Sequence, residues 1–324
     1  MPSDLTTIAL IGCGRMGQMH LETFIRHPQV RVKYIYEPMS DLHTTVLAQY
    51  PDLKHRHDCT WLGEGQEHRI YEDQGVQAVV VCSPTDLHET SILSALRAGK
   101  HVMTEKPVTN TLEGTRRFDD HYAKALEGTK DGRIGKIHLM RFLARDPFLP
   151  KVTWQKEAGN IFLDFMVHDI DMALMLANER PVSVYGTKHA HHEQMVERGF
   201  PDTATLTIKF PGGAVAFMDC ARYASYGYDN RMELFGSTGM YSVSNPQLTT
   251  TTHWNERGSH GDRVGAKGLY LDRWRQAITA EDTHFIEFLL GKTPPTDFGP
   301  NAILAAEVIE AANRSAEQDH VVKL

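Results

Sequence analysis

Through the first third of the chain, short apolar runs alternate with stretches whose apolar residues recur at helical spacing. Ile8-Ala9-Leu10-Ile11 is followed at once by Gly12-x-Gly14-x-x-Gly17, after which Leu21, Phe24 and Ile25 return three or four positions apart. The unbroken run reads as a strand buried on both faces, and the spaced residues as one face of a helix. Val30–Tyr36 alternates as a second strand, Ser40–Gln49 reads as a helix, and residues 59–74 read as a long polar loop. Residues 76–82 are an apolar, β-branched run, 89–98 a helix stopped by Gly99, and 100–104 another short strand. This succession predicts a right-handed, doubly wound parallel sheet.

The second half has a different rhythm. Residues 203–210 and 214–223 alternate on either side of Pro211-Gly212-Gly213, as the arms of a hairpin do, and 231–235 with 241–244 read as a second hairpin. With 136–142 and 182–187 they predict a largely antiparallel sheet, able to carry one helical layer and leave its other face for a partner subunit. Residues 249–267 read as a polar loop, and 274–290 and 302–316 as closing helices. The expected fold class is therefore α/β, with a parallel-sheet domain at residues 1–115 and an α+β domain at 116–324.

The glycine turn adds chemistry. In strand–turn–helix context Gly12 permits the tight turn, Gly14 lets a pyrophosphate approach the backbone, and Gly17 lets helix and strand pack closely. The free N–H groups at the start of the helix then face the phosphates. Glu37 ends the second strand, twenty positions after Gly17. A carboxylate there accepts from the ribose hydroxyls of NAD and repels the additional phosphate of NADP. A loop that only turns the chain is the competing reading, and the Glu37 spacing argues against it.

Composition narrows the classes. The 324 residues suffice for about two domains, and 41% hydrophobic with 23% charged residues is ordinary for a soluble protein. A net charge of −7 disfavours nucleic acid as a partner. No apolar run approaches the ~20 residues that span a bilayer, and the first residues lack signal-peptide character, so a cytoplasmic location is expected. Cys13, Cys59, Cys82 and Cys220 are scattered, which suits free buried thiols. Eighteen histidines include the cluster His189-Ala-His191-His192, which lacks partner ligands, so no metal is expected.

Residues 160–177 form a helix that is apolar nearly all round, yet Asp164, His168 and Asp171 fall at i, i+4 and i+7. Buried ionisable groups need partners, and a self-satisfied carboxylate–histidine pair competes with a catalytic one. Lys106 lies at the carboxyl end of a parallel strand, where ligands bind in open α/β sheets, and Pro107 constrains the chain beside it.

Gly12-x-Gly14-x-x-Gly17, Ser83-Pro84-Thr85 with His88, and Glu105-Lys106-Pro107 together resemble the Gfo/Idh/MocA family of NAD(P)-dependent sugar and polyol dehydrogenases. The resemblance runs on through Arg145-Asp146-Pro147, Gly159-Asn160-Ile161-Phe162-Leu163-Asp164 with His168-Asp169, and Gly227-Tyr228-Asp229 to the segment 235–239. It is greatest to the inositol 2-dehydrogenases of that family. It implies that NAD is held by Gly12, Gly14, Arg15, Met16, Gly17 and Glu37, and further by Ser83, Pro84, Thr85, His88, Glu105 and Lys106.

The resemblance also implies roles in catalysis. His168 takes the proton of a secondary hydroxyl, Lys106 holds that hydroxyl, and Asp164 orients Lys106. Asp146 and Tyr228 bind other hydroxyls of the polyol. A homo-oligomer, dimer or tetramer, is the family expectation. Where relatives carry a helix and a strand before their Arg-Arg-Phe-like segment, this chain has only residues 110–115, so the sheet is expected to end at five strands or to leave an exposed edge. That difference leaves the placement of Arg117, and activity itself, open. An NADP-dependent sugar or dihydrodiol dehydrogenase and an NAD-binding homologue without turnover are the alternatives.

Overall fold

In a computed structural model of the chain, residues 5–105, 115–150, 160–245, 252–255, 258–261, 270–294 and 299–324 are described. The chain divides into two units, one of Met1–Glu113 with Ala277–Asp297, the other of Gly114–Gln276 with Phe298–Leu324. The segment Ala277–Asp297, which the sequence reading leaves with the second half, thus clusters with the first.

The first unit is a parallel sheet of β1 (Thr6–Ile11), β2 (Val30–Tyr36), β3 (Thr60–Leu62), β4 (Ala78–Val81) and β5 (His101–Thr104), in the order β3-β2-β1-β4-β5. Strand alternation explains the layers. Ile8 and Leu10 face a core shared with Leu21, Phe24 and Ile25 of α1 (Arg15–Arg26) and Val46 of α2 (Ser40–Gln49). Ala9 and Ile11 face the opposite core, with Ile70 and Ala95. Helix α3 (Asp52–His55) follows α2, and Ile70 and Ala95 lie on α4 (His68–Glu72) and α5 (Thr85–Arg97).

The stretch 59–74, read as a loop, contains β3 and α4. Three and five residues are too few to display a period, and only Leu62 and Ile70 of these elements are fully buried. Five strands are present among the described residues; the segment 106–114, with Lys106 and much of the apparent shortening, lies outside them.

The second unit begins with a 3₁₀ turn, Thr115–Phe118, and α6 (Asp120–Lys130), capped by Asp119, whose Oδ1 accepts from the His121 and Tyr122 N–H groups. β6 (Ile137–Arg145) precedes a π-helical turn, Phe162–Met166, which runs into α7 (Val167–Ala177). β7 (Ser183–His189), α8 (Glu193–Val196), β8 (Thr203–Lys209), β9 (Val215–Ala221), β10 (Asp229–Gly236) and β11 (Met240–Val243) come next. A hairpin of β12 (Thr252–Asn255) and β13 (Gly258–Gly261) occupies part of the stretch read as a loop. Helix α9 (Tyr270–Leu289) lends its first residues to this unit, and α10 (Gly299–Gln318) and β14 (Val322–Lys323) end the chain.

The sheet runs β11-β10-β6-β9-β8-β7-β14, antiparallel except for the β6–β9 pair. Its α7 and α10 face buries Met140, Phe142, Leu206, Met218 and Leu234. The alternate residues point the other way, where Phe217 and Phe235 are exposed.

Candidate active site

In the first unit, the polar groups expected for the cofactor gather at the carboxyl ends of β1, β2 and β4. Gly12 has φ +87°, and a Cβ there would sit 2.6 Å from backbone atoms of Cys82 and Ser83. A Cβ at Gly17 would lie 2.1 Å from the Gly12 carbonyl oxygen, so these two positions accept only hydrogen. A Cβ at Gly14 would meet nothing within 4 Å. That open space lies at the N-cap of α1, which has no side-chain cap. Arg15, exposed, and Met16, half-buried, open the helix. The fold itself therefore places no steric demand for glycine at residue 14.

Glu37 is buried, with Oε2 accepting from Cys13 N–H at 2.9 Å and Oε1 from Met39 N–H at 3.0 Å. Past β4, the Ser83 hydroxyl is buried without a hydrogen-bond partner among the described residues. Pro84 caps α5, whose first residue is Thr85. His88 is buried and its Nε2 lies 2.6 Å from the Ser83 carbonyl oxygen. A carbonyl only accepts, so Nε2 carries the proton, and His88 braces the turn from inside. The open N-terminus of α1, the ribose-ready carboxylate and the orphaned Ser83 hydroxyl fit NAD.

Glu105 follows β5 and is buried, with its Oε1 2.7 Å from His20 Nε2; the other ring nitrogen of His20 is 2.6 Å from Asp282 Oδ1. Sequence reading missed this trio. Its members lie 85 and 262 positions apart, and only the burial of a histidine on the apolar side of α1 hints at it. Cys13 is buried and Cys82 half-buried. Burial first, then the charge of Glu37, pushes the Cys13 thiol up to about 12, so it stays protonated.

In the second unit, strand register assembles the candidate substrate groups. β6 and β9 are parallel with Arg145 opposite Ala221, so the next residues, Asp146 and Arg222, leave the same sheet edge side by side. Asp229 of β10 also pairs with Arg145, which brings Tyr228 to that edge. Asp146 N–H donates to the Ala221 carbonyl at 3.0 Å and Ala224 N–H to the Asp146 carbonyl at 2.7 Å. The Tyr228 hydroxyl accepts the Trp274 indole N–H at 2.6 Å, leaving its own proton to donate. Burial, with the charge of Asp146 also acting against ionisation, holds that phenol above its ordinary range.

Asp164 sits in the π-helical turn, where Arg222 Nη1 reaches its Oδ2 at 2.7 Å in a buried pair. π-Helical turns of this kind occur often at functional sites. Half-buried His168 is four residues on, on α7. The wider turn rotates the succeeding residues away from the stripe that an unbroken α-helix would give. Asp171 accordingly pairs with Arg117, through Nε at 2.8 Å and through Nη2, and Asp169 pairs with Arg116. Arg117, whose placement the sequence left open, is thus held by two hydrogen bonds. The expected partner of Asp164, Lys106, lies outside the described residues. Arg222, the basic residue directly after an alternating strand, is a site group that the sequence reading did not single out.

Two family models match the chain: an oxidoreductase family with an NAD-binding Rossmann fold over residues 6–127, and the GFO/IDH/MocA C-terminal domain over residues 122–242. The chain belongs to the Gfo/Idh/MocA family. It is 32% identical to the myo-inositol 2-dehydrogenase of Thermotoga maritima, with 98% of each chain covered. The solved myo-inositol dehydrogenase of Corynebacterium glutamicum has the same fold, with a TM-score of 0.87, 23% identity and 99% of each chain covered. So does the scyllo-inositol dehydrogenase of Lactobacillus casei, solved with NAD(H) and scyllo-inositol, at 0.84, 23% identity, and 98% of this chain and 99% of that one.

This Gfo/Idh/MocA protein is an NAD-dependent oxidoreductase acting on CH–OH groups. Among the described residues, no helix is long and apolar enough to cross a membrane, and no group of three or more His, Cys, Asp or Glu side chains could hold a metal ion.

Proposed function

We propose that the protein oxidises a secondary hydroxyl of a cyclic polyol, with myo-inositol as the substrate and the 2-ketone as the product. The observation that carries this reading is the polar edge of the second sheet, where Asp146, Arg222 with Asp164, and Tyr228 are brought together by register. A ring bearing many hydroxyls calls for such a mixture of donors and acceptors, each already oriented by the protein. The similarity to inositol dehydrogenases supports the substrate class.

NAD, when bound, supplies the hydride acceptor. His168 takes the hydroxyl proton, because imidazole titrates near neutrality. Lys106 holds the reacting oxygen and stabilises the negative charge that develops on it, and Asp164 keeps Lys106 oriented. Asp146 and Tyr228 bind further hydroxyls. Glu37 selects NAD over NADP, since the second phosphate would meet a carboxylate. Residues 1–115 chiefly serve the cofactor, and 116–324 the polyol and self-association. The face bearing Phe217 and Phe235 meets a second copy in a cytoplasmic homo-oligomer.

The test is NADH formation followed with NAD or NADP and a panel of inositol isomers, sugars and diols. Turnover of myo-inositol with NAD is the expected result. Turnover confined to a pyranose or a diol, or absent throughout, overturns the substrate assignment.

A further inference from the structure

His20 belongs to no part of the mechanism above, yet it is among the most completely enclosed ionisable groups of the first unit. It lies on α1, 2% exposed, between Glu105 at the end of β5 and Asp282 of α9, which is 0% exposed. The glycine motif asks for nothing at this position. An ionised carboxylate only accepts, and a neutral imidazole has a single N–H. Two carboxylate contacts at 2.6 and 2.7 Å therefore need one proton more than a neutral ring and two carboxylates possess.

The ring is the natural holder of that proton, with an ordinary pKa of roughly 6.5 against roughly 4 for the acids; burial raises Asp282, and the charge of His20 and its hydrogen bond pull that carboxyl back down. Burial alone would drive the proton off. The charge of Asp282 and hydrogen bonds to both acids overcome burial and hold His20 well above the histidine range. Among the described residues, two thiols also act here. Cys82 acts on the ring and Cys13 on Cys82, and burial keeps both thiols protonated and uncharged.

The trio occupies a consequential place. The Glu105 N–H donates to the Val81 carbonyl at 2.8 Å, so main chain and side chain of this residue are both tied down. The next residue is Lys106. We propose that His20 is a positioning residue: as an imidazolium clamped between Glu105 and Asp282, it fixes the point where the chain leaves β5 for Lys106 and ties that point to the helix that receives the pyrophosphate of NAD. Without the cation, two buried carboxylates would face each other and the end of β5 would shift. The effect on rate rests on the dehydrogenase reading, in which Lys106 holds the reacting hydroxyl.

Three measurements test the clamp. In the wild-type protein, nitrogen NMR of the histidine rings should show both nitrogens of His20 protonated at pH 8; a bare ring nitrogen overturns the proposal. In His20→Gln and Asp282→Asn, hydrogen exchange at Thr104 and Glu105 should quicken by about tenfold or more while β2 is unchanged; unaltered exchange in these variants overturns it. Asp282→Asn keeps the shape of the site and serves where His20→Gln does not fold. In either variant, kcat should fall by roughly 10- to 100-fold, with the NADH Kd within about threefold of wild type. A loss of stability with kcat intact, or a loss of NADH binding in step with kcat, assigns His20 to the fold alone. Should the wild-type protein turn over no polyol, the substrate reading fails by itself, and the NMR and exchange results still decide the clamp.

Discussion

The Glu37 carboxylate closes onto the Cys13 amide at 2.9 Å, joining the end of the second strand to the glycine turn. With the Met39 amide also bound, two of its about four acceptor positions remain for a ribose. Glu37→Gln should therefore raise the Kd for NAD by about 10-fold or more, since hydrogen bonds to charged groups contribute about 1.5–3 kcal/mol. Binding of NADP should weaken less. Fluorescence titration with NADH and NADPH measures both, and an unchanged ratio removes the proposed selectivity.

The glycines separate folding from cofactor binding. Gly17→Ala drives a methyl into the Gly12 carbonyl, a backbone atom that cannot step aside, and should cost about 3 kcal/mol or more. Gly14→Ala meets open space, so its denaturation midpoint should match wild type while NAD affinity falls by about 10-fold or more. Loss of stability in Gly14→Ala would contradict the ligand-based account of that residue.

Lys106→Ala and His168→Ala should each retain NAD binding and lose turnover by about 100-fold or more. Single-turnover NADH formation with myo-inositol is the measurement. Wild-type rates in either variant would remove that residue from the chemistry.

Removing Arg222 should destabilise the second unit through the buried carboxylate it leaves behind. Arg222→Met strips the guanidinium from buried Asp164, a change that costs about 3–5 kcal/mol in such pairs, and adding Asp164→Asn should restore much of it. Asp164→Asn alone should act chiefly on kcat. Urea titrations and steady-state kinetics on the three proteins decide this, and an effect of Asp164→Asn on melting alone would make the pair structural.

His57 sets an acid limit on the first unit. Its Nδ1 accepts the Val32 N–H at 3.1 Å, so the proton is on Nε2, which donates to the Ile25 carbonyl at 3.0 Å. Burial, chiefly, holds the ring below the histidine range. The unfolded chain then takes up the proton first, so this stabilisation is complete above pH ~6.5 and declines as pH falls through the folded-state value. Urea midpoints at pH 7.5 and 5.5 should differ more for wild type than for His57→Gln; equal differences would exclude His57 as the cause.

Periodicity reveals elements that are long and buried, and this chain obeys. β1, β2, β4, the β8–β9 hairpin and α7 all stand where alternation or helical spacing puts them. β3 and α4 escaped because three and five residues complete barely one period and cannot show its repeat, and β12–β13 because Thr252–Asn255 and Gly258–Gly261 carry no apolar alternation. At the site, Gly12, Gly17 and Glu37 were legible through local spacing. The pairings of Arg222 with Asp164 and of His20 with Asp282 join residues 58 and 262 positions apart. No local pattern encodes a partner at that distance. The apolar helix announces only that its aspartates must have one, and register decides which.

The return of Ala277–Asp297 to the first unit has a consequence for biosynthesis. Ile286 completes the core beneath α1, and Asp282 completes the pair with His20, yet both are made after every strand of the second sheet except β14. The nucleotide-binding lobe is therefore a discontinuous folding unit that cannot mature on the ribosome ahead of its neighbour, the order usual for tandem domains. A nascent chain cut short near residue 276 would expose the place where Ile286 packs and present an apolar surface for chaperones to hold.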